Sequence, residues 1–592
     1  MLQVNVVNLG RILEARSGEN ILEVLQREGM EIDAYCGGFG SCGKCQVQVL
    51  RGLVSKPTSQ EIKHLKERTQ EGYHLACQAI LVEDVDIDIS ASLARQIPVL
   101  VESGEAWLEE PPVSRTELVV HKPMLSERCS LQRTVEQNLG GEKPSDWTLR
   151  ALEGLSRLED RDELRFEVVS DKGGVRWFNP VSQDHSFLGV AIDIGTTTVA
   201  CELLDLANGV SLQRTGSLNR QATFGADVVS RLRTIQDNHG TLVTLQELVI
   251  STINDLIQEG CQKAGKDPGR IFAVTFAGNT IMEHILLGVS PLSIGVAPYV
   301  PVFCRSYIIS AQLLHLVVNP HAQVFIFPSV AGYVGGDIVA GMAAHGLDEK
   351  NGILLYVDIG TNGEIALVDH GTIYCCGTAA GPAFEGAQIK HGTRATLGAI
   401  SSVEVEDGQL KIYTIGDTAP RGVCGTGLID ALSCLVKEGL ISPNGRLQKN
   451  GQSLASRLTD DGKVRNFVLS YDPEVVITQE DIAQLQLAKA ALQAGRMVLL
   501  QEAGRREEEI DGVVLAGAFG SFINPESAMT IGIIPRVPSV KSVGNASLLG
   551  AKKALLSREF RERVEILSQH ALYVELSARG DFQDYFYESL LF

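Results

Sequence analysis

Four of the chain's 12 cysteines fall in its first 77 residues, as Cys36, Cys42, Cys45 and Cys77 with the spacing C-x5-C-x2-C-x31-C. Three thiols on one glycine-rich loop, YCGGFGSCGKC, can wrap a metal–sulfur cluster. Gly37, Gly38, Gly40 and Gly43 allow tight turns through positive φ. The loop amides can then point at the cluster sulfurs and stabilise negative charge there. A fourth cysteine arriving from a distant strand closes the ligand set. That is the logic of a [2Fe–2S] centre, a one-electron carrier, whose plant-type run C-x4-C-x2-C…C is one residue shorter in its first gap. A zinc site would pair C-x2-C with a second close pair of ligands, whereas Cys77 has only His74 nearby.

A second constellation is built for phosphate. The text GVAIDIGTTTVACELLDLANG at 189–209 returns as LLYVDIGTNGEIALVDHG at 354–371, which aligns Asp193 with Asp358. Gly195 and Gly360 let the chain reverse between two strands. The turn amides and the side chains of Thr196, Thr197, Thr198, Thr361 and Asn362 can bind phosphate oxygens. Asp193 and Asp358 can hold Mg²⁺ through water, because that ion keeps most of its hydration. No Walker P-loop is present. Glycines that would bring backbone close to a flat ligand are Gly517 and Gly520 in GAFGSF and Gly425 in GVCGTGLIDAL. Asp227 and Asp337 are each a candidate hydrolytic base or metal–water contact, or equally a helix N-cap. Glu364 and Glu385 are candidates for orienting a water, and Lys489 for an exposed contact to nucleotide. The eight other cysteines have no metal-ligand spacing and read as small buried apolar residues.

These residues need elements to hold them. Two short strands around a turn at Asn8–Gly10, a helix from Asn20, a strand at Val47–Leu50 and a capping box Thr58-Ser-Gln-Glu61 follow one another. That order, with the cysteine loop, resembles β-grasp ferredoxins of the adrenodoxin type and those fused to larger enzymes. In each phosphate half a helix and then a strand ending in glycine follow, IFAVTFAGNTIMEHILLG at 271–288 and GVVLAGAFGSFINP at 512–525. This internal duplication resembles the superfamily of actin, sugar kinases and heat-shock chaperone ATPases, in which two RNase-H-like lobes close on ATP and Mg²⁺.

The expected fold is therefore multidomain α/β. A β-grasp [2Fe–2S] ferredoxin domain covers 1–90 and a proline-rich linker 91–124. A small α+β middle domain covers 125–187, and a duplicated RNase-H-like, actin-like ATPase domain of two lobes covers 188–592. The length, 592 residues, exceeds what one hydrophobic core sustains. With 52 basic against 72 acidic residues, the net charge of −20 argues against nucleic acid and anionic membranes as partners. The apolar run Val324–Ala344 contains Pro328, two glycines and Asp337, and reads as a strand, a turn and a helix start instead of a membrane span. The N-terminus lacks the charge-then-apolar pattern of a signal peptide, and the expected location is the cytoplasm.

The combination resembles the ATP-dependent reductive activators of corrinoid proteins. The resemblance runs through CGGFGSCGKC with Cys77, DIGTTT, FGADVVSR, TFAGNT, YVGGD, DIGTNGE, GTAAGPAFEGA, GVCGTGLIDA and AGAFGSFINPESAMTIGIIP. It implies reduction of an inactive cob(II)amide to cob(I)amide in a partner corrinoid protein, with the electron passing through the [2Fe–2S] cluster at the expense of ATP. It implies Cys36, Cys42, Cys45 and Cys77 as cluster ligands and Asp193 and Asp358, with their turns, as the Mg-ATP site. Gly517 and Gly520 would lie against adenosine. A homodimer and an external low-potential electron donor are also implied. The competing expectations are an ATP-driven reductase for another low-potential acceptor, a small-molecule kinase with a regulatory ferredoxin domain, and a redox-sensing chaperone or scaffold.

Overall fold

The computed structural model describes residues 2–592 except 17, 28–29, 31, 33–39, 41–42, 44, 91–109, 122–128, 140–146, 157–162, 173, 182–183, 226, 361, 387, 450–453, 461–464 and 518–519. Near the N-terminus β1 (Leu2–Val6), β2 (Arg11–Ala15), β3 (Gln46–Arg51), β4 (Tyr73–Leu75) and β5 (Val85–Asp88) form one sheet in the order β2-β1-β5-β3-β4. β1 runs parallel to β5, and the other pairs are antiparallel. Helix α1 (Ile21–Arg27) covers this sheet through Ile21, Val24 and Leu25, against Val4, Val6, Val47 and Leu75. Helix α2 (Ser59–Leu65) starts at the expected capping box, with Thr58 accepting from the Glu61 amide and Glu61 reaching back to Thr58.

The next unit begins earlier than its sequence suggests. β6 (Val113–His121) lies within the span read as linker, yet it pairs along its whole length with β7 (Glu163–Asp171), which pairs in turn with β8 (Gly174–Pro180). The prolines at 111, 112 and 123 flank this strand without interrupting it, so the proline density marks its ends and not a tether throughout. Helices α3 (Leu131–Asn138) and α4 (Leu149–Ser156) complete a small core in which Phe166 stacks on Phe178 at 4.4 Å. The sheet is bolted to its neighbour. Buried Glu167 accepts from Arg270 at 2.9 and 2.5 Å, and Gln323 donates to Asp171 at 2.8 Å.

Two six-stranded sheets follow. The first holds β9 (Leu188–Ile194), β10 (Thr198–Asp205), β11 (Val210–Leu218), β12 (Ile271–Gly278), β13 (Tyr307–Ser310) and β14 (Gln323–Ile326), in the order β11-β10-β9-β12-β14-β13. It carries α5 (Val228–Asp237), α6 (Thr241–Ala264) and α7 (Thr280–Leu286). Helix α8 (Gly336–Ala344) then leads into β15 (Ile353–Ile359), β16 (Gly363–Asp369) and β17 (Thr372–Thr378) of the second sheet. The apolar run at 324–344 thus resolves as the end of a strand, a turn and a helix. Among the described residues no helix is long and apolar enough to cross a membrane.

Two three-stranded sheets are inserted after β17. One holds β18 (Ala399–Glu406), β19 (Gln409–Thr414) and β20 (Gly422–Val423), and the other β21 (Leu458–Asp460), β22 (Arg465–Tyr471) and β23 (Glu474–Thr478). α9 (Gly425–Lys437) lies between them and α10 (Gln479–Ala503) follows them. The second main sheet is finished by β24 (Gly512–Ala516), β25 (Val540–Ser542) and β26 (Leu572–Tyr573), in the order β25-β24-β15-β16-β17-β26. Helices α11 (Pro525–Ile531), α12 (Ala546–Leu556), α13 (Arg558–His570) and α14 (Phe582–Glu588) complete the chain.

Five strands of the two sheets correspond in order: β11, β10, β9, β12 and β14 match β17, β16, β15, β24 and β25, while β13 and β26 extend opposite edges. The register repeats as well. Asp193 faces Ala277 across a parallel pair, and Asp358 faces Ala516 in the same way, each alanine being followed by glycine. This is the duplicated α/β architecture expected from the repeated D-I-G-T text.

Candidate functional site

The cluster site rests on the cysteines the structure describes. Cys45 precedes β3 and Cys77 follows β4, and the antiparallel pairing of these strands brings the two thiols together. The Ala76 amide donates to the Cys45 carbonyl at 2.7 Å. Both cysteines are buried, and their sulfurs are 3.4 Å apart. A disulfide would need about 2.05 Å. Two thiolates on one tetrahedral ion, with metal–sulfur bonds of about 2.3 Å, are separated by about 3.7 Å. The two thiols are thus unbonded and in S–H···S contact, slightly closer than two ligands of one ion would be. Gly40 and Gly43 adopt φ of +70° and +67°, as the loop reading requires, and a side chain at Gly43 would collide with the His64 ring. Cys36 and Cys42 lie outside the described residues.

The second site gathers four acids from β9, β15, β16 and α8 close enough to shift one another, at the place where the duplication leads one to expect a cleft. Asp193 and Asp358 are the penultimate residues of β9 and β15. Asp337 sits in the first turn of α8, and Glu364 stands directly opposite Asp358 on β16. The aspartates keep partial contact with solvent, and Glu364 is buried. Burial first, and then mutual charge, shifts this group. Asp358 is pushed up to about 7 by burial and by the charge of Asp193. Asp337 is raised by burial and then by Asp358 and Asp193, and Glu364 by burial, Asp337 and Asp358. Four carboxyl groups that resist ionising together form an environment a divalent cation would relieve. Among the described residues no three His, Cys, Asp or Glu side chains converge tightly enough to hold an ion directly. The chemistry of the set, carboxyl oxygens only, suits a hard cation such as Mg²⁺, which keeps most of its water shell.

The first phosphate turn is held rigidly. Asn219 donates to the Gly195 carbonyl at 2.9 Å, and its amide donates to the Thr197 carbonyl at 2.9 Å. Arg231 is fully buried on α5 and binds the carbonyls of Thr196 and Gly225. Burial lowers this guanidinium to about 9. Asn279 caps α7 and donates to the Thr196 hydroxyl at 3.0 Å. Thr196 is therefore packed inward, while Thr197 is half-buried and Thr198 exposed. The Thr197 hydroxyl lies 3.5 Å from the Glu385 carboxylate, which comes from the other half of the duplication. In the second turn the Gly360 amide closes on the Asn362 carbonyl at 3.1 Å, and Thr361 lies outside the described residues.

Other candidates fall elsewhere. Asp227 caps α5 in a capping box, accepting from the Ser230 amide at 2.7 Å; of its two readings this is the structural one, and it stands apart from the cleft acids. Lys489 is buried and not exposed: it donates to the Leu591 carbonyl, sits 5.1 Å over the Phe592 ring, and is lowered to about 8 by burial. Gly517, at φ +88°, lies over Asp358, where an added Cβ would come within 2.7 Å of the carboxylate. Gly520 opens the next short turn, and Gly425 opens α9. The adjacent Gly427 lets α9 close on the Ile400 carbonyl.

Sequence reasoning missed Asn545 and Ser547. They stand at the cap and first turn of α12 and donate to the two Asp193 oxygens at 2.8 and 2.7 Å. These bonds favour the ionised Asp193 against the burial that raises it. Glu283 of α7 was also missed. It is fully buried, accepts from Ser329 at 2.8 Å, and is raised far above a normal glutamate by burial, with Asp337 adding to the effect.

Comparison with known proteins agrees with this division. Residues 4–82 match the family model of the 2Fe-2S iron-sulfur cluster binding domain. Residues 188–350 match the RACo middle region, and 352–592 the C-terminal domain of RACo, the ASKHA domain. The region named "middle" in that family is therefore the first lobe of the duplication and not the small domain before it. A "Corrinoid activation enzyme RamQ" of Eubacterium limosum is 30% identical over 591 residues, covering 97% of this chain and 96% of the relative. A "[Co(II) methylated amine-specific corrinoid protein] reductase" of Methanosarcina barkeri is 24% identical, over 62% of this chain and 70% of its own. The solved structure of a "Reductive activator for corrinoid, iron-sulfur protein" superimposes with a TM-score of 0.74 at 33% identity, covering 100% of this chain and 98% of that one. With end-to-end similarity and all three regions in order, this chain belongs to the RACo family.

Proposed function

We propose that this chain is an ATP-dependent reductase that rescues a partner corrinoid protein by converting its inactive cob(II)amide to cob(I)amide. The observation that carries this reading is the presence, in one chain, of the Cys45–Cys77 sulfur pair and the duplicated aspartate turns. The full-length similarity to a corrinoid activation enzyme and to a reductive activator supports it. Cys36, Cys42, Cys45 and Cys77 would hold the cluster, which supplies one electron at a time. Asp193 and Asp358 would hold Mg-ATP through water, with Thr197 and Thr198 of the first turn against its phosphates. Gly517 would leave room for close approach, and Asp337 and Glu364 stand where an attacking water could be oriented.

The energetics explain why both sites are needed. A [2Fe–2S] centre of the plant type sits near about −400 mV, and the cob(II)/cob(I) couple implied by the family resemblance lies lower. Each 59 mV of mismatch costs about a factor of ten in a one-electron step. The cluster that Cys36, Cys42, Cys45 and Cys77 would hold would supply one electron to the Co(II) of the partner, and an external low-potential donor would have to return it. ATP shifts this equilibrium only if the nucleotide-bound form of the complex differs in free energy between the two redox states. Ten described cysteines are free of disulfides, as suits a reducing cytoplasm. We further take the working form to be a homodimer.

The test mixes the cluster-loaded protein, an electron donor, Mg-ATP and a corrinoid protein poised as cob(II)amide, and follows the cob(I) absorption band. The band is expected with ATP and absent without it. If no corrinoid partner yields an ATP-dependent band, the proposal fails. ADP formation stimulated by a small-molecule alcohol, with the phosphoryl group recovered on that alcohol and not as free phosphate, would instead favour a kinase.

A further inference from the structure

Tyr356 precedes Asp358 by two residues on β15, so both side chains leave the same face of the strand. Tyr356 is fully buried, and among the described residues its hydroxyl completes no hydrogen bond of good geometry, although the Asp358 carboxyl lies within its reach. The charged groups around it are the carboxyls of Asp358, Asp337, Glu364 and Asp193. The ring reaches past the acids into the crossing of α8 and α12. There a methyl group at Gly341 would overlap the phenol oxygen, and the Ala546 methyl would lie 3.1 Å from the same point. The crossing is close throughout, since a methyl at Gly550 would likewise overlap the Ala340 carbonyl.

A buried hydroxyl without a partner is destabilising, and a phenylalanine would fill the same volume without that cost. Packing alone therefore gives no reason for tyrosine here. The other aspartate shows what such a group can do. Asp193 is held by Asn545 and Ser547 of α12, whereas the side chain that Asp358 meets among the described residues is the Tyr356 hydroxyl, close to its carboxyl. Helix α8 carries Asp337 and joins the two halves, running from the strand layer of the first into β15 of the second.

We propose that Tyr356 is a positioning residue whose hydroxyl donates to the Asp358 carboxylate when the cleft holds magnesium and nucleotide, tying the second aspartate to the α8–α12 crossing. The two aspartates would then be secured to the same pair of helices, one through α12 and one through the phenol. A small movement of either carboxylate on nucleotide binding would reach the segment that joins the lobes. This rests on the nucleotide reading given above.

The test uses the full-length, cluster-loaded protein and its Tyr356→Phe variant. Amide hydrogen exchange is measured across 336–344 and 546–556, with and without Mg²⁺ and a non-hydrolysable ATP analogue. The wild type is expected to gain protection in both helices. Tyr356→Phe is expected to weaken binding of the magnesium–nucleotide analogue about tenfold, because the bond is made in the bound state, to lose most of the nucleotide-dependent protection, and to lower kcat about tenfold. Should Tyr356→Phe fold poorly, Gly341→Ala displaces the hydroxyl from the opposite side, and the same loss of protection is expected. Wild-type protection and kcat in both variants, or no nucleotide-dependent protection in the wild type, would overturn the inference. The cob(I) assay reports separately on the function, so a silent cob(I) band with intact helix protection would sink that reading and leave this one standing.

Discussion

The Ser547 hydroxyl donates to the Asp193 carboxylate at 2.7 Å across a sequence separation of 354 residues. The first aspartate of the duplication is thus held by a helix that follows the second. Asn545 completes the grip at 2.8 Å while its side-chain oxygen caps α12 through the Leu548 amide. Binding at the first phosphate turn is in this way connected to the end of the chain's second half.

Ser547→Ala removes one donor to an anionic carboxylate without disturbing the helix cap. A hydrogen bond to a charged group contributes about 1.5–3 kcal/mol, so ATP-dependent cob(I) formation should fall about 10- to 100-fold. Asn545→Ala should do this and also lower the melting temperature, because an N-cap contributes about 1 kcal/mol. Equal activity of Ser547→Ala and wild type would show that the contact is incidental.

Cys77→Ser should abolish the visible absorption of the cluster while leaving Mg-ATP binding intact. The ferredoxin core of Val4, Leu13, Ile21, Val47 and Ile87 is a cluster of its own, distinct from the cores beneath the nucleotide turns. The expected protein is colourless, binds nucleotide and yields no cob(I). A coloured Cys77→Ser protein with a wild-type reduction rate would remove Cys77 from the ligand set.

Arg231→Met replaces a buried guanidinium with an apolar chain of similar length. It strands the carbonyls of Thr196 and Gly225, which Arg231 now satisfies, and leaves the Gln221 oxygen with Asn219 as its donor. Each buried group left unpaired costs about 1–3 kcal/mol, so a clear drop in melting temperature is expected. Calorimetry should also show weaker nucleotide binding, since the Thr196–Thr197 turn loses a support. Unchanged stability and affinity would contradict this role.

Much of this site could be read from the chain because its glycines and acids occupy turns. Asp193 and Asp358 sit in repeated local text, and a tight D-x-G-T reversal is a property of neighbouring residues. The parts that escaped are tertiary. Nothing near Asn545 or Ser547 announces a partner in β9. Arg231 lies on an amphipathic helix, where arginine usually meets water, and only the fold reveals that it points inward. Lys489 escaped for the same reason. β6 was hidden because prolines at its ends resemble those of a tether, and its partner β7 lies some 40 residues downstream. Asp227 was legible only as two alternatives, since an N-cap and a catalytic acid carry the same side chain.

The pH dependence of stability should carry the signature of the cleft acids. Asp358 is held up at about 7 by burial and by Asp193, against an unperturbed value near 3.9. A carboxyl raised in the folded state favours folding most when both states are protonated, below about pH 4, and that contribution is lost as pH rises through about 7. Asp337 and Glu364 are raised for the same physical reason and act in the same direction. The nucleotide-free protein should therefore lose melting temperature between about pH 6 and pH 8, the part of that window where Asp358 ionises. Magnesium binds the ionised form and competes with the proton, so its stabilising effect should be larger at about pH 8 than at about pH 6. Asp358→Asn removes the group that titrates in this range and should flatten both trends. A magnesium effect of the same size at both pH values in the wild type would mean that these carboxyls are not where the cation acts.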